Sequence, residues 1–489
     1  MSPEILILSS LAIPLSGAAL IGASGWFNDN LRETVTLLTA GVLIACVWGL
    51  LPTVFHGARP GVELFEVLPG IPIAFEVEPL GMLFAALASG LWLVNSVYSI
   101  GYMRGNKENK QTRFYVLFAV SLAATMGIAF AANLFTLFLF YEVLTLATYP
   151  LVAHKGDEKT VRSARVYLGV LISASIGLML PAIIWTYAVA GTGDFTMGGI
   201  LHGHIEGPAV GLLLGLFVFG AAKAAVMPLH RWLPAAMVAP TPVSALLHAV
   251  AVVKAGVFTV TKIIVYVFGV DFLFAEPSSD WLFCAAAFTI LAASLVALRQ
   301  QNLKRLLAYS TVAQLSYVVM ASAILKPLAE VGATIHMVAH AFGKITLFFA
   351  AGAIYTAARK TELVQLRGIG RRMPITMTAF TIGALSMIGV PPTAGFVSKW
   401  YILAGAFQAD NYIALATIVA STALNAAYFL PIVYWGWFGQ DTTPPGKEHG
   451  EAPLTILLAL ATTAALTIAF FVYSAPVYEL EAQLVKVQP

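Results

Sequence analysis

Apolar runs about the length of a bilayer, parted by short polar and often basic loops, set the pattern of this chain from end to end. A spanning helix needs about 20 mainly apolar residues. Runs of that kind lie near 3–24, 33–54, 76–102, 113–131, 133–153, 162–190, 209–232, 239–268, 279–299, 301–324, 329–358, 373–405, 411–438 and 452–474. The pattern predicts an all-α polytopic membrane protein with about fourteen transmembrane helices. Two runs, the seventh and the twelfth, are interrupted. Lys223 is followed by Pro228, Pro234, Pro240 and Pro242, and the stretch GVPPTAGFVSKWY sets Gly389, Pro391, Pro392 and Gly395 before Lys399. Broken helices inside a membrane are tolerated where they are buried in protein or line a wet cavity. Each break falls in the fourth member of a five-helix block, a repeated arrangement typical of transporters. The expected organisation is therefore 1–112 for the first three spans, 113–268 and 279–438 for the two five-helix repeats, and 452–489 for the last span and a short tail.

Composition agrees with the pattern: of 489 residues 59% are apolar and 10% charged, and mean hydropathy is +0.84. A net charge of +3 gives no sign of a nucleic-acid partner. Cys46 and Cys284 lie in apolar segments without metal or disulfide spacing, and read as small core residues. The N-terminal run lacks a basic leader and a cleavage site, so it reads as a retained first helix.

Basic residues of membrane proteins concentrate in cytoplasmic loops. With the N-terminus outside, the inner loops collect Arg32; Arg104, Lys107, Lys110 and Arg113; Lys155, Lys159, Arg162 and Arg165; Arg231; Arg299, Lys304 and Arg305; Arg359, Lys360, Arg367, Arg371 and Arg372; and Lys447, which is 19 of the 27 Lys and Arg. Outer loops collect Arg59, Lys326 and Lys486. Both termini are thus expected outside a bacterial or archaeal plasma membrane.

The other five, Lys223, Lys254, Lys262, Lys344 and Lys399, fall within apolar spans. One charge at the bilayer centre costs roughly 2.5–3.5 kcal/mol on insertion scales, so such lysines need partners, water or a function. Glu142, with no other acid between residues 109 and 156, is the deep carboxylate that pairs most naturally with Lys223. A Glu and a Lys that approach and separate make a proton switch; a static buried pair that fixes two helices is the plainer alternative. His248 precedes Lys254 in HAVAVVKAGVF, while His336, His340 and Lys344 recur at i, i+4 and i+8 on one helical face. Neutral histidines linked by water transfer protons at physiological pH. The HxxxH spacing has no evident third ligand, so neither a metal nor another cofactor is expected. His230 and Lys262 read instead as helix–helix hydrogen bonds or snorkelling groups, and Ser310, Thr311, Gln314 and Ser316 as residues that hydrate the region between the halves or bond helices together.

Taken together, AAKAAVMPLHRWLPAAMVAPTPVSALLHAVAVVKAGVF, the embedded Glu of FYEVLTLATYP, HMVAHAFGKITLFFAAG and GVPPTAGFVSK closely resemble the antiporter-like subunit family: Mrp-type multisubunit cation/proton antiporter subunits, and the proton-pumping membrane-arm subunits of respiratory complex I and membrane-bound hydrogenases. The resemblance implies a fourteen-helix fold with two inverted five-helix repeats and a polar axis at mid-membrane. It also implies that Glu142 matches the glutamate of helix 5, Lys223 its lysine partner on helix 7, Lys254 the central position on helix 8 and Lys399 the position on helix 12. His340 and Lys344 match helix 11 positions of the same axis. Many relatives read WLPDA where this chain has WLPAA, so Ala235 removes an acidic group near the end of broken helix 7. The short C-terminal tail resembles the D-type Mrp subunit, although the helix 7 to 8 sequence resembles A-type and complex I patterns equally.

Three functions stay open on these grounds. The first is a proton-translocating subunit of a multisubunit Na+/H+ antiporter, a transporter subunit rather than an enzyme, working with other membrane subunits. The second is the same module in a redox-driven pump. The third, a non-conducting membrane scaffold, leaves the cost of five deep lysines unexplained.

Overall fold

The computed structural model describes residues 1–441 and 449–484; Lys447 and Lys486, counted in the charge pattern, lie outside the described residues. Six helices open the chain: α1 (Pro3–Ser24), α2 (Asp29–Phe55), α3 (Pro79–Gly105), α4 (Gln111–Ala129), α5 (Leu134–Val152) and α6 (Glu158–Ala190). They are followed by α7 (Pro208–Gly220), α8 (Thr241–Phe268), α9 (Pro277–Leu298), α10 (Leu303–Ser322) and α11 (Pro327–Ala358). The last are α12 (Pro374–Ile388), α13 (Ala394–Gln408), α14 (Tyr412–Phe438), α15 (Leu454–Val472) and the short α16 (Ala475–Glu481).

Among the described residues, eleven of these helices are long and apolar enough to cross a membrane. The other three apolar runs fall below that measure, for physical reasons. α10 has the length, but its polar residues lower its hydropathy. α7 stops at Gly220, and the chain makes a tight turn over Ala222–Ala224 before Ala225 takes a left-handed φ of 57°. α12 stops at Gly389, with φ 90°, and α13 restarts after Pro391 and Pro392. Proline can neither donate to a helix nor fit its interior, so Pro391 and Pro392 write the α12 break in the sequence, while Pro228 keeps α7 from resuming after the turn that ends it.

The all-α polytopic class stands, with one addition outside the spans: Gly61–Leu68 (β1) and Ile71–Glu76 (β2) form an antiparallel hairpin between α2 and α3. Val62, Phe65 and Val67 are residue types that favour strands, and Gly70 at φ 76° makes the turn. The hairpin is tied to the start of α5. Asn133 caps that helix, accepting from the Thr136 N–H at 2.8 Å, and donates to the Pro72 carbonyl at 2.9 Å. One correction concerns the cysteines: Cys46 is buried, but Cys284 is exposed on α9 and is not a core residue. An apolar segment in a membrane protein turns one side to lipid, so apolar neighbours alone do not place a side chain inside the bundle.

The centre of the bundle is α8, enclosed along its whole length, and α11, enclosed along nearly all of it. α11 packs on α8, α10, α12, α13 and α15. Apolar lipid offers helices no hydrophobic drive to associate, so close approach through small residues matters more. Gly256 on α8 is such a point: a Cβ there would run into the backbone of Lys223 and Ala224 at the α7 break.

Candidate functional site

All five deep lysines are buried, at 0–4% exposure, and each finds partners of a different kind. Lys223 sits in the α7 break, where Trp232 Nε1–H donates to the Ala222 carbonyl at 2.9 Å and stitches the turn shut. Its ammonium donates to the Tyr141 carbonyl at 2.8 Å and the Thr145 hydroxyl at 2.6 Å, and lies 3.1 Å from the centre of the Tyr141 ring. The sequence paired Lys223 with Glu142. In the structure the two are electrostatic neighbours on α5 and the break, but no ion pair joins them, and both Glu142 oxygens are buried without a hydrogen-bond partner among the described residues. The lysine is held by the α5 backbone beside the glutamate rather than by the carboxylate.

From Lys223 a polar ladder climbs α5: the Thr148 hydroxyl bonds the Thr145 carbonyl at 3.1 Å and the Tyr167 hydroxyl at 2.6 Å. The Tyr167 ring lies 6.1 Å from that of His248. His248 sits in a π-turn of α8, Leu247–Ala251, and neither of its ring nitrogens has a partner among the described residues. Such turns often mark functional positions.

Lys254, further along α8, meets His340 of α11, its Nζ 2.7 Å from Nδ1. His336, one turn back on the same face, has its ring centre 6.2 Å from that of His340, and its Nδ1 lies 2.9 Å from the Ser398 hydroxyl on α13. Ser398 is followed by Lys399. The Lys399 ammonium donates to the Ile388 carbonyl at 2.8 Å, the Met387 carbonyl at 3.3 Å and the Thr422 hydroxyl at 3.1 Å. Breaking α12 there leaves its last carbonyls unpaired and its negative dipole end exposed, and Lys399 satisfies both.

Lys344 opens a second branch. It donates to Ser310 at 2.8 Å; Tyr428 donates to Ser310 at 3.0 Å and also bonds Asn425; Asn425 donates to the Met387 carbonyl at 3.2 Å. Both branches therefore converge on the α12 break at Lys399. Tyr141, Thr145, Ser398, Asn425 and Tyr428 were not singled out in the sequence, although the i, i+4 spacing of Tyr141 and Thr145 and the i, i+3 spacing of Asn425 and Tyr428 put each pair on a shared face. Lys262 is no snorkelling group: it donates to Glu78 at 3.0 Å and to the Ala131 carbonyl at 2.9 Å, the helix–helix alternative. Glu78 also accepts from Tyr266 at 3.0 Å and caps α3 through the Leu80 and Gly81 N–H groups, so Glu142 is not the only deep carboxylate.

Residues 131–425, which carry all of this axis except Tyr428, match the family "NADH:quinone oxidoreductase/Mrp antiporter, TM". Among curated relatives, NADH-quinone oxidoreductase subunit N of Desulforudis audaxviator is 32% identical, over 92% of this chain and 89% of its own length. The A/B subunit of a probable K(+)/H(+) antiporter from Rhizobium meliloti is 31% identical over 93% of this chain, which spans 46% of that longer protein. Two solved structures share the fold, each with a TM-score of 0.86 over 99% of this chain and 97% of theirs. They are the archaeal membrane-bound sulfane sulfur reductase complex, at 24% identity, and the Mrp complex of Dietzia sp. DQ12-45-1b, at 22%.

Proposed function

We propose the function from the family outward: the chain belongs to the NADH:quinone oxidoreductase/Mrp antiporter transmembrane family, and it is a multi-pass, proton-translocating subunit of a larger membrane assembly. Within the family our reading is a D-type subunit of a multisubunit Na+/H+ antiporter, with fourteen spans, inverted repeats at 113–268 and 279–438, and both termini outside. The observation that carries proton translocation is the run Lys254–His340–His336–Ser398–Lys399, in which hydrogen bonds of 2.7 Å and 2.9 Å flank a histidine pair between two helix systems.

In this reading Lys254 hands a proton to His340 Nδ1, and His340 releases one from Nε2 toward His336 through water. His336 and Ser398 deliver it to Lys399 at the α12 break. Glu142 and Lys223 act as the switch. With Lys223 on the Tyr141 carbonyl and Thr145, the pair is apart; swinging the ammonium onto Glu142 withdraws a positive charge from the head of the ladder toward His248. At an effective dielectric of about 20, two charges 4 Å apart interact by about 4 kcal/mol, enough to bias a proton on a neighbouring site.

A redox-driven complex is the second reading, favoured by the match to NADH-quinone oxidoreductase subunit N across nearly the whole of both chains. Everted vesicles containing the complete assembly separate the two. Na+-dependent proton movement that Glu142→Ala, Lys223→Ala and Lys399→Ala each abolish, with assembly intact, supports the antiporter. Acidification on adding a reductant, without cation dependence, supports the redox pump. Mutants that transport like wild type refute the relay in either setting.

A further inference from the structure

A cavity of about 640 Å³ opens where the loop after α5, the turn after α7, the start of α10 and the end of α11 meet. Six of its lining side chains are Lys155, Lys159, Arg231, Lys304, Arg305 and Lys360. No aspartate or glutamate lines it among the described residues. The charge pattern places all six on the same side of the membrane, yet they belong to four separate stretches of sequence, so the fold itself gathers them. Among the described residues, Lys155, Lys159, Arg231, Lys304 and Arg305 form no ion pair. The neighbouring acid Asp157 is engaged as the cap of α6, accepting from the Thr160 N–H at 2.7 Å. Ala235 lies in the same wall. Like charges packed around one cavity repel one another, and an anion inside removes that repulsion.

We propose that this cavity binds the phosphate of an anionic phospholipid headgroup. Phosphate is the chemistry that Arg and Lys at several angles recognise, and basic pockets between helices at the membrane surface take anionic headgroups. The rest of the lining favours a lipid over a soluble ion. Tyr102, Tyr309 and Tyr355 ring the cavity together with Met237 and Val238, and tyrosines with an apolar body and a polar tip belong at the headgroup level. The partly buried Lys304 side chain reaches across to the Ala239 carbonyl at 2.6 Å, which fixes it in the wall while Lys155 and Arg305 stay exposed at the rim.

The test uses the full chain in its purified assembly, delipidated and exposed to mixed micelles of phosphatidylglycerol or of phosphatidylcholine, with bound lipid counted by native mass spectrometry. Phosphatidylglycerol is expected to be retained and phosphatidylcholine lost. Lys155→Gln with Arg305→Gln, both rim residues, is expected to lower phosphatidylglycerol occupancy at sub-saturating lipid about 25-fold, at about five-fold in affinity for each charge removed. Lys110→Gln, an exposed basic residue outside the cavity, is expected to leave occupancy unchanged. Equal retention of both lipids overturns the site, as does a rim variant that binds like wild type or a Lys110 variant that loses as much. Complete displacement by millimolar inorganic phosphate keeps an anion site but overturns its lipid occupant.

Discussion

Replacing His340 by alanine tests the relay at its shortest link. Among the described residues the Lys254 ammonium has one hydrogen-bond partner, His340 Nδ1 at 2.7 Å. A hydrogen bond to a charged group contributes about 1.5–3 kcal/mol, and alanine fills none of the space the ring vacates. At about 1.4 kcal/mol per decade, losing that bond changes the occupancy of the proton on Lys254 by roughly ten- to a hundredfold, and turnover falls as far if that proton lies on the path. Proton flux into proteoliposomes of the complete assembly, followed with a pH-sensitive dye, measures it, with assembly checked by native electrophoresis. His340→Gln, which offers Lys254 a carbonyl oxygen, is expected to restore part of the rate. Tyr428→Phe breaks only the Lys344 branch, through two neutral bonds worth about 1 kcal/mol each, and is expected to slow flux by up to about thirtyfold. An assembled His340→Ala protein within about twofold of wild type removes Lys254–His340 from the path.

Breaking the Glu78–Lys262 pair by Lys262→Met leaves a buried carboxylate and is expected to cost about 3–5 kcal/mol, while Glu78→Gln with Lys262→Met recovers much of it; thermal unfolding of the purified assembly reads both. Gly256→Val pushes a side chain into the Lys223–Ala224 backbone and is expected to prevent assembly, whereas a fully assembled and active variant contradicts the close approach at the α7 break. Asn133→Ala removes a cap and the tie to the hairpin, for about 1–2 kcal/mol and faster proteolysis between residues 61 and 76. His154, in the loop after α5, is held down to about 4 by burial and then by the charge of Arg113. A pKa lowered on folding favours the neutral ring, so its contribution is complete above about pH 6.5 and is lost as pH falls toward 4. His154→Leu is expected to flatten the stability profile in that window, and an unchanged slope counts against the buried neutral ring.

The sequence made the helices legible because a spanning segment must satisfy its backbone internally and bury apolar side chains along about 20 residues, which leaves a long, unmistakable run. It also exposed both breaks, since Pro228, Pro391 and Pro392 forbid what their apolar neighbours would otherwise form. The β1–β2 hairpin was harder to see. A strand of eight residues carries little signal beside such runs, and among the bonds that hold the hairpin is that from Asn133, 61 positions from Pro72 in the chain. Lys254 and His340 could be named but not joined, because their contact spans 86 residues and depends on α8 and α11 both lying at the centre of the bundle.

The Glu142–Lys223 relation shows where reading by residue type stops. Charge pairing in sequence identifies the two groups that attract, but it cannot say which of several nearby acceptors holds the ammonium. Here Tyr141 and Thr145 do so, at 2.8 Å and 2.6 Å, on the same helix that carries the glutamate. A lysine locked into a bidentate ion pair would lose much of its stabilisation on leaving it. One resting on a neutral carbonyl and hydroxyl, with an unbonded carboxylate close by on the same helix, needs only a small movement to change partner. That difference is what a switch requires and a static strut does not. Thr145→Val therefore separates the two: it removes one of Lys223's two polar contacts without touching its charge. It is expected to shift Lys223 toward Glu142 and change transport without lowering stability by more than about 1.5 kcal/mol. An assembled Thr145→Val protein that transports at the wild-type rate refutes the switch and leaves Lys223 as a strut.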